Sequence, residues 1–336
     1  MIREAIALLA GRGDLPYDMA EAVMHEIMGG EASEIQMAAF LTAMAMKGET
    51  IDEITASAAG MRKHCDRILH DMDVLEIVGT GGDGSDSFNI STTSAIVVSA
   101  AGFPVAKHGN RAASSRCGSA DVLEALGVNI SASPEASLRL LREVGICFLF
   151  AQNYHLAMRY VAPVRRELGI RTMFNMLGPL VNPAGANKEL LGVYDADLVE
   201  PMARVLSNLG VKDALVAYGT DGLDEISAGA PTMVCEARDG SFDTYVLDPR
   251  DYGFRLCDRG DLRGGAPAEN AAIARSVLSG EEGPRRDAVV LNSAAAIYIA
   301  DRGIPMERAV RIAERTIDSG KAMGQIERFA ELSHRY

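Results

Sequence analysis

Between Ser87 and Ala120 the chain has no aspartate or glutamate, although 46 acids are spread over its 336 residues. Lys107, Arg111 and Arg116 lie inside this window, among serines, threonines, asparagines and glycines that offer hydroxyl and backbone N–H donors. Donors and local positive charge, with acids kept away, are what a bound phosphate or pyrophosphate requires. A purely structural reading of the same stretch is a small-residue helix followed by an ordinary turn. Just before it stands Gly79-Thr80-Gly81-Gly82-Asp83-Gly84, after the β-rich run Val74–Val78. Gly79, Gly81 and Gly84 match the dinucleotide spacing GxGxxG, but that fold needs an acid about 20 positions on to hold the ribose. Here that region is acid-free and reaches Lys107 instead. The dinucleotide reading fails, and a Walker A loop fails too, since no Gly-Lys-Ser/Thr occurs.

Three further groups bear chemistry. Lys107-His108-Gly109-Asn110-Arg111 follows a second apolar run, Phe103–Ala106, and is expected as a loop at the carboxyl end of a strand, where open α/β sheets bind ligands. Arg165-Arg166 and Arg171-Thr172 border a second acid-free stretch, Leu168 through Lys188. Asp221-Gly222-Leu223-Asp224-Glu225 follows the strand candidate Ala214–Tyr218. Alone it reads as a charged turn. Beside a phosphate-type window it suits Mg²⁺, which takes one or two carboxylates plus phosphate oxygens and water.

The elements that must position these residues change character near Val74. Upstream, Ser33/Gln36 and Thr50/Glu53 have capping-box spacing, and Met37, Leu41 and Met44 mark a helix that Gly48 ends. Downstream, short strands (Val74–Val78, Phe103–Ala106, Ile146–Phe150, Leu190–Tyr194, Ala214–Tyr218) alternate with helices (Ser94–Ala101, one opened by Ser133-Pro134-Glu135, and Leu198–Leu209). That alternation predicts an α/β unit with a mostly parallel sheet. From Asn270 onward the chain reads as helical, and Asp248–Pro267 as a surface excursion.

Composition narrows the class. With 33 Lys plus Arg the net charge is -13, which disfavours a broad nucleic-acid or anionic-membrane surface. Five cysteines, an odd number without CxxC spacing, support neither a disulfide framework nor a zinc site. No signal pattern is visible and no apolar run reaches about 18 residues, so a reduced, cytoplasmic protein is expected.

The ordered set GTGGD, FNIST, KHGNR, GSADVLEALG, RRELGIRTMFNMLGPLVNP and DGLDEIS resembles the anthranilate phosphoribosyltransferase family, as does the stretch from Leu262 (DLRGG, AENAAIA, GPRRDAVVLNSAAA). The likeness runs through essentially the whole chain. It implies transfer of the phosphoribosyl group of 5-phosphoribosyl 1-diphosphate to the amine of anthranilate, releasing pyrophosphate, with Mg²⁺, in tryptophan biosynthesis. The implied fold is a small all-helical domain (1–70, joined by a segment returning at about 161–185) and a larger α/β domain (71–336), with a cleft between them, usually as a homodimer. Carried over by position, Gly79, Gly82, Asp83, Ser87, Asn89, Ile90, Ser91 and Thr92 would hold the diphosphate donor. So would Lys107, His108, Gly109, Asn110, Arg111, Ala112, Ala113, Ser114, Ser115 and Ser119. Gly79, Asn110 and Arg165 would contact anthranilate, and Ser91, Asp224 and Glu225 would bind Mg²⁺. Ser87 stands where the family usually has Thr, and Ala112 and Cys117 where Ser is common; Ser87 keeps the hydroxyl.

The chemistry agrees. Losing pyrophosphate from the ribose C1 builds charge that positioning and electrostatics can stabilise, and a neutral amine needs no Ser–His dyad. No covalent intermediate is therefore expected. Two alternatives stand beside this. A pyrimidine nucleoside phosphorylase-like enzyme has no need of the Asp224-Glu225 pair with a magnesium diphosphate. A non-enzymatic nucleic-acid-binding paralogue is expected to lose those carboxylates and to carry a basic exterior.

Overall fold

The fold is that of a computed structural model, which describes residues 1–112 and 115–336. Two of the expected donor-binding residues, Ala113 and Ser114, lie outside the described residues.

Four helices open the chain: α1 (Ile2–Ala10), α2 (Tyr17–Met28), α3 (Glu34–Lys47) and α4 (Ile51–Arg62). Both capping boxes form. Ser33 Oγ accepts from Gln36 N at 3.3 Å while Gln36 Oε1 accepts from Ser33 N at 2.9 Å. Thr50 and Glu53 repeat the arrangement at 3.2 and 2.8 Å. These bonds satisfy orphan N–H groups at the two helix starts. The helices bury Val23, Met24, Ile27, Phe40, Leu41 and Met44 against one another.

The α/β unit follows in the order β1 (Leu75–Gly79), α5 (Ile90–Ala100), β2 (Val105–Gly109), α6 (Ser119–Ala125), α7 (Pro134–Glu143), β3 (Ile146–Phe150). Then come three short helices, α8 (Ala151–Tyr154), α9 (Met158–Leu168) and α10 (Phe174–Leu177). Here the chain goes back to the helical bundle: Val161, Val164, Met173, Phe174, Leu177 and Val181 share the core of α1–α4. It re-enters the sheet with β4 (Lys188–Gly192), α11 (Val199–Asn208), β5 (Asp213–Gly219), β6 (Thr232–Arg238) and β7 (Ser241–Leu247). Four helices close it: α12 (Pro267–Leu278), α13 (Pro284–Ala300), α14 (Met306–Asp318) and α15 (Lys321–Ser333). The strand order is β3-β2-β1-β4-β5-β6-β7, parallel from β3 to β5 and antiparallel beyond.

Several expectations need correction. The second strand does not stop at Ala106 but takes in Lys107 and His108, because β3 pairs with it in register through Gly109↔Phe150. The β6–β7 hairpin is absent from the sequence reading, since Glu236, Arg238, Asp239 and Asp243 interrupt any apolar alternation there. Its turn, Asp239-Gly240, has φ of 48° and 79°, the two left-handed residues of a tight hairpin. α5 starts at Ile90 rather than Ser94, and α12 at Pro267, a favoured first helical position. Residues 248–267 are more than a surface excursion: Leu262 is buried and its carbonyl accepts from Phe88 N at 2.9 Å. No described helix is long and apolar enough to cross a membrane.

Candidate active site

At the carboxyl end of the sheet, Gly79 and Gly192 pair as the last residues of β1 and β4. Asp224 lies directly on both. A Cβ on Gly192 would fall 1.6 Å from the Asp224 carbonyl oxygen, and one on Gly79 2.4 Å from its Oδ2. Glycine is required at both positions so that the loop after β5 can descend onto the sheet. Gly81 N then donates to Asp224 Oδ2 at 2.6 Å, which ties the glycine loop to that carboxylate. Asp83 faces the same point: its Oδ2 accepts from Asp224 N at 3.5 Å and its Oδ1 from Ser85 N at 3.1 Å.

Glu225 is held from the other side. Its Oε1 accepts from Ser91 N, 3.1 Å away in the first turn of α5. Ile90 and Thr92 beside it are buried. Asn89 is not free, since its Nδ2 donates to Cys117 O at 3.1 Å and its Oδ1 accepts from Asn270 Nδ2 at 2.8 Å. Ser87 forms an isolated antiparallel bridge with Arg263. Two positioning residues stand outside the expected site residues, although both belong to the C-terminal stretch that resembles the family. Asn270 fixes Asn89. Asn292, fully buried on α13, accepts from Ile226 N at 3.0 Å and donates to Ile226 O at 2.8 Å, pinning the backbone next to Glu225.

The carboxylates are in electrostatic conflict. Burial, then Asp83 and Glu225, push the Asp224 carboxyl well above its usual range. Burial pushes Glu225 up to about 7 against the lowering effect of Lys107. Glu189, on β4, is raised by burial and by Glu76, and its buried Oε1 has no hydrogen-bond partner. Lys107 is the cation among them. Its Nζ donates to Ile77 O at 2.6 Å, and burial lowers its pKa despite Glu76, Glu225, Asp224 and Glu189. Buried charges normally come paired. A divalent cation beside Asp224 and Glu225 would favour their ionised forms, so these residues fit Mg²⁺ bound by two carboxylates and completed by phosphate and water. Among the described residues no three His, Cys, Asp or Glu side chains converge as ligands, so an all-protein cage is not the arrangement.

The KHGNR segment divides. Lys107 and His108 are buried strand residues rather than loop donors. His108 N donates to Glu76 Oε1 at 2.9 Å, and its ring lies 5.1 Å from that of His155. Gly109 packs on Ser119, whose Oγ donates to Asn110 O at 3.4 Å. Asn110 Oδ1 accepts from Arg111 N at 2.8 Å. Arg111 is neutralised: its guanidinium meets Asp121 and Glu124 at 2.9 Å each, acids just past the window. Ala112 N also donates to Asp121, and Ser115 Oγ to Cys117 O. Arg165 lies apart on α9, mostly buried, with its guanidinium 5.5 Å from the Phe174 ring centroid. Arg171, from the same run, reaches the glycine loop, where its Nη2 donates to Gly82 O.

Comparison with known proteins follows the same division. Residues 3–65 match the helical bundle domain of a glycosyl transferase family, and residues 71–323 its a/b domain. The chain is 62% identical over its full length to the full-length anthranilate phosphoribosyltransferase of Lachnoclostridium phytofermentans. It is 60% identical to that of Methanobrevibacter smithii, over 99% of this chain and all of the relative. The crystal structure of the Thermus thermophilus enzyme superposes with a TM-score of 0.93 at 44% identity, over 98% of this chain and 99% of that one. The Saccharomyces cerevisiae enzyme, solved in complex with PRPP and Mg, gives 0.92 at 27% identity, over 100% and 98%. With both domains matched and relatives above half identity over the whole length, the chain belongs to the anthranilate phosphoribosyltransferase family.

Proposed function

We propose that this protein transfers the phosphoribosyl group of 5-phosphoribosyl 1-diphosphate to the amine of anthranilate, yielding N-(5-phosphoribosyl)anthranilate and pyrophosphate. The observation that carries the reading is the Asp224–Glu225 pair, buried against the glycine loop and the first turn of α5. A yeast relative at 27% identity binds PRPP and Mg, and the same class of donor suits this constellation. Mg²⁺, when bound, would neutralise the diphosphate and stabilise it as a leaving group. Asp224, Glu225 and Ser91 would hold it. The N–H groups of the glycine loop and Asp83 would line the diphosphate, with Ser87, Asn110 and Ser119 beside the sugar phosphate. Asn110, Gly79 and Arg165 would receive anthranilate, Arg165 facing its carboxylate.

In this reading the helical unit, 1–70 with the returning segment 161–185, and the α/β unit, 71–336, bring acceptor and donor together. Exposed Ile35 and Met46 on α3, beside α1, support a homodimer through that face. Five unpaired cysteines suit the cytoplasm. The two alternatives lose ground on specific features. The carboxylate pair is intact, which a nucleic-acid-binding paralogue or a phosphorylase does not call for, and net charge is -13. The test is anthranilate fluorescence after adding protein, 5-phosphoribosyl 1-diphosphate and Mg²⁺. The reading expects a decay that needs all three; folded protein that leaves the signal unchanged but cleaves uridine or thymidine with phosphate would overturn it.

A further inference from the structure

Arg171, outside the assigned site, touches the donor loop. It stands two residues beyond Gly169, which ends α9 with φ of 60°. α9 is packed into the helical bundle through Val161 and Val164, and it carries Arg165. From this segment the guanidinium extends over the ring of Tyr194, 4.3 Å from its centroid, and Nη2 donates to Gly82 O. Tyr194 is itself bound to the loop's other end, since its backbone N donates to Thr80 Oγ1 at 3.1 Å. The loop needs such restraint. Gly81, Gly82 and Gly84 have φ of 71°, 78° and 66°, and a run of left-handed glycines is costly to hold in one conformation. From the sheet side it is tied to Asp224, which accepts from Gly81 N and donates through its own backbone N to Asp83. Arg171 ties it from the bundle side.

We propose that Arg171, stacked on Tyr194, is a positioning residue that clasps the glycine loop from the helical unit and holds it in the shape that receives the diphosphate. This rests on the reading above that the loop is the diphosphate site. The clasp joins the segment bearing Arg165 to the donor loop, so its loss falls first on donor binding. A planar guanidinium both stacks and donates, and lysine cannot reproduce the pair.

The test is steady-state kinetics and calorimetric binding of magnesium pyrophosphate for Arg171→Ala, Arg171→Lys, Tyr194→Leu and the double variant Arg171→Ala/Tyr194→Leu. Arg171→Ala should raise the KM for 5-phosphoribosyl 1-diphosphate and the pyrophosphate Kd at least about tenfold, the worth of one charge-assisted hydrogen bond. Its kcat should fall less than about threefold, since the groups at the reacting centre remain. Arg171→Lys should recover only part of the loss, and the double variant should be no worse than the worse single one. Donor KM and pyrophosphate Kd unchanged in folded Arg171→Ala, or additive losses in the double variant, would overturn the proposal. Pyrophosphate binding reads the clasp without turnover. A wild-type protein that binds pyrophosphate, with an affinity that falls in Arg171→Ala and in Tyr194→Leu alike, yet leaves anthranilate untouched therefore contradicts the proposed reaction and supports the clasp.

Discussion

Glu53 and the Asp224–Glu225 pair are all buried carboxylates, and they are held in opposite ways. Glu53, in the helical bundle, has every demand met: Oε1 accepts from Leu15 N at 2.8 Å, and Oε2 accepts from Thr50 N at 2.8 Å and Lys47 Nζ at 2.9 Å. Asp224 and Glu225 have backbone donors too, but they face each other, Asp83 and a cation already shared with Glu76 and Glu189. Burial of a charge alone therefore says little about function. The marker is a carboxylate pair that the protein does not balance by itself, which suits the proposed magnesium diphosphate site.

The contrast breaks most visibly under substitution. Asp224→Asn with Glu225→Gln should lower kcat/KM by at least about 10²–10³, a typical value for removing preorganised electrostatic stabilisation. The same double variant should melt at the wild-type temperature or higher, because a repulsive pair has gone. Wild-type turnover at millimolar Mg²⁺ would remove these residues from the reaction. Next in size, Arg165→Ala should raise the anthranilate KM by about 10–100-fold and leave the donor KM nearly unchanged, as one charge-assisted bond is lost. Measuring both constants decides which substrate Arg165 serves. Glu53→Gln reverses the pattern: it should cost about 2–3 kcal/mol in chemical denaturation by orphaning buried donors, with kcat and both KM values retained.

Stability against pH separates the two kinds of carboxylate. Glu225 is raised from 4.5 to about 7, so the folded protein binds its proton more tightly than the unfolded chain does. Its contribution to stability is fully present below about pH 4.5 and is lost as pH rises through about 7. Asp224, Glu189 and Glu76 are raised as well and act in the same direction. Without Mg²⁺, the urea midpoint should fall between about pH 5 and about pH 8, and less steeply in the Asp224→Asn/Glu225→Gln variant. Equal slopes would count against the conflict. The smallest effect is expected at the caps, where Ser33→Ala or Thr50→Ala should each cost about 1 kcal/mol by urea denaturation and leave catalysis alone.

Much of this was legible in the chain. The capping boxes of α3 and α4 and the glycine loop after β1 rest on local rules, in which spacing carries the information. What was hidden depends on distant partners. That Lys107 and His108 belong to a strand follows from pairing with β3, about 40 residues downstream in a parallel crossover. That Arg111 is neutralised follows from α6 folding back to present Asp121 and Glu124. Gly192 and Asn292 carried no local signal, since one makes room for Asp224 and the other holds Ile226 from α13. The β6–β7 hairpin was hidden by its own charges.

Asp224 and Glu225 are a buried carboxylate pair whose ionised forms a magnesium diphosphate would stabilise. Thermal melting of the wild-type protein and of Asp224→Asn/Glu225→Gln, each with Mg²⁺, with 5-phosphoribosyl 1-diphosphate and with both, shows whether the pair answers to that ligand. The wild type should gain most from both together, more than the two separate gains combined. The variant should start at least as stable and respond weakly to the pair. A variant that gains as much as the wild type from both ligands would contradict this role of the pair.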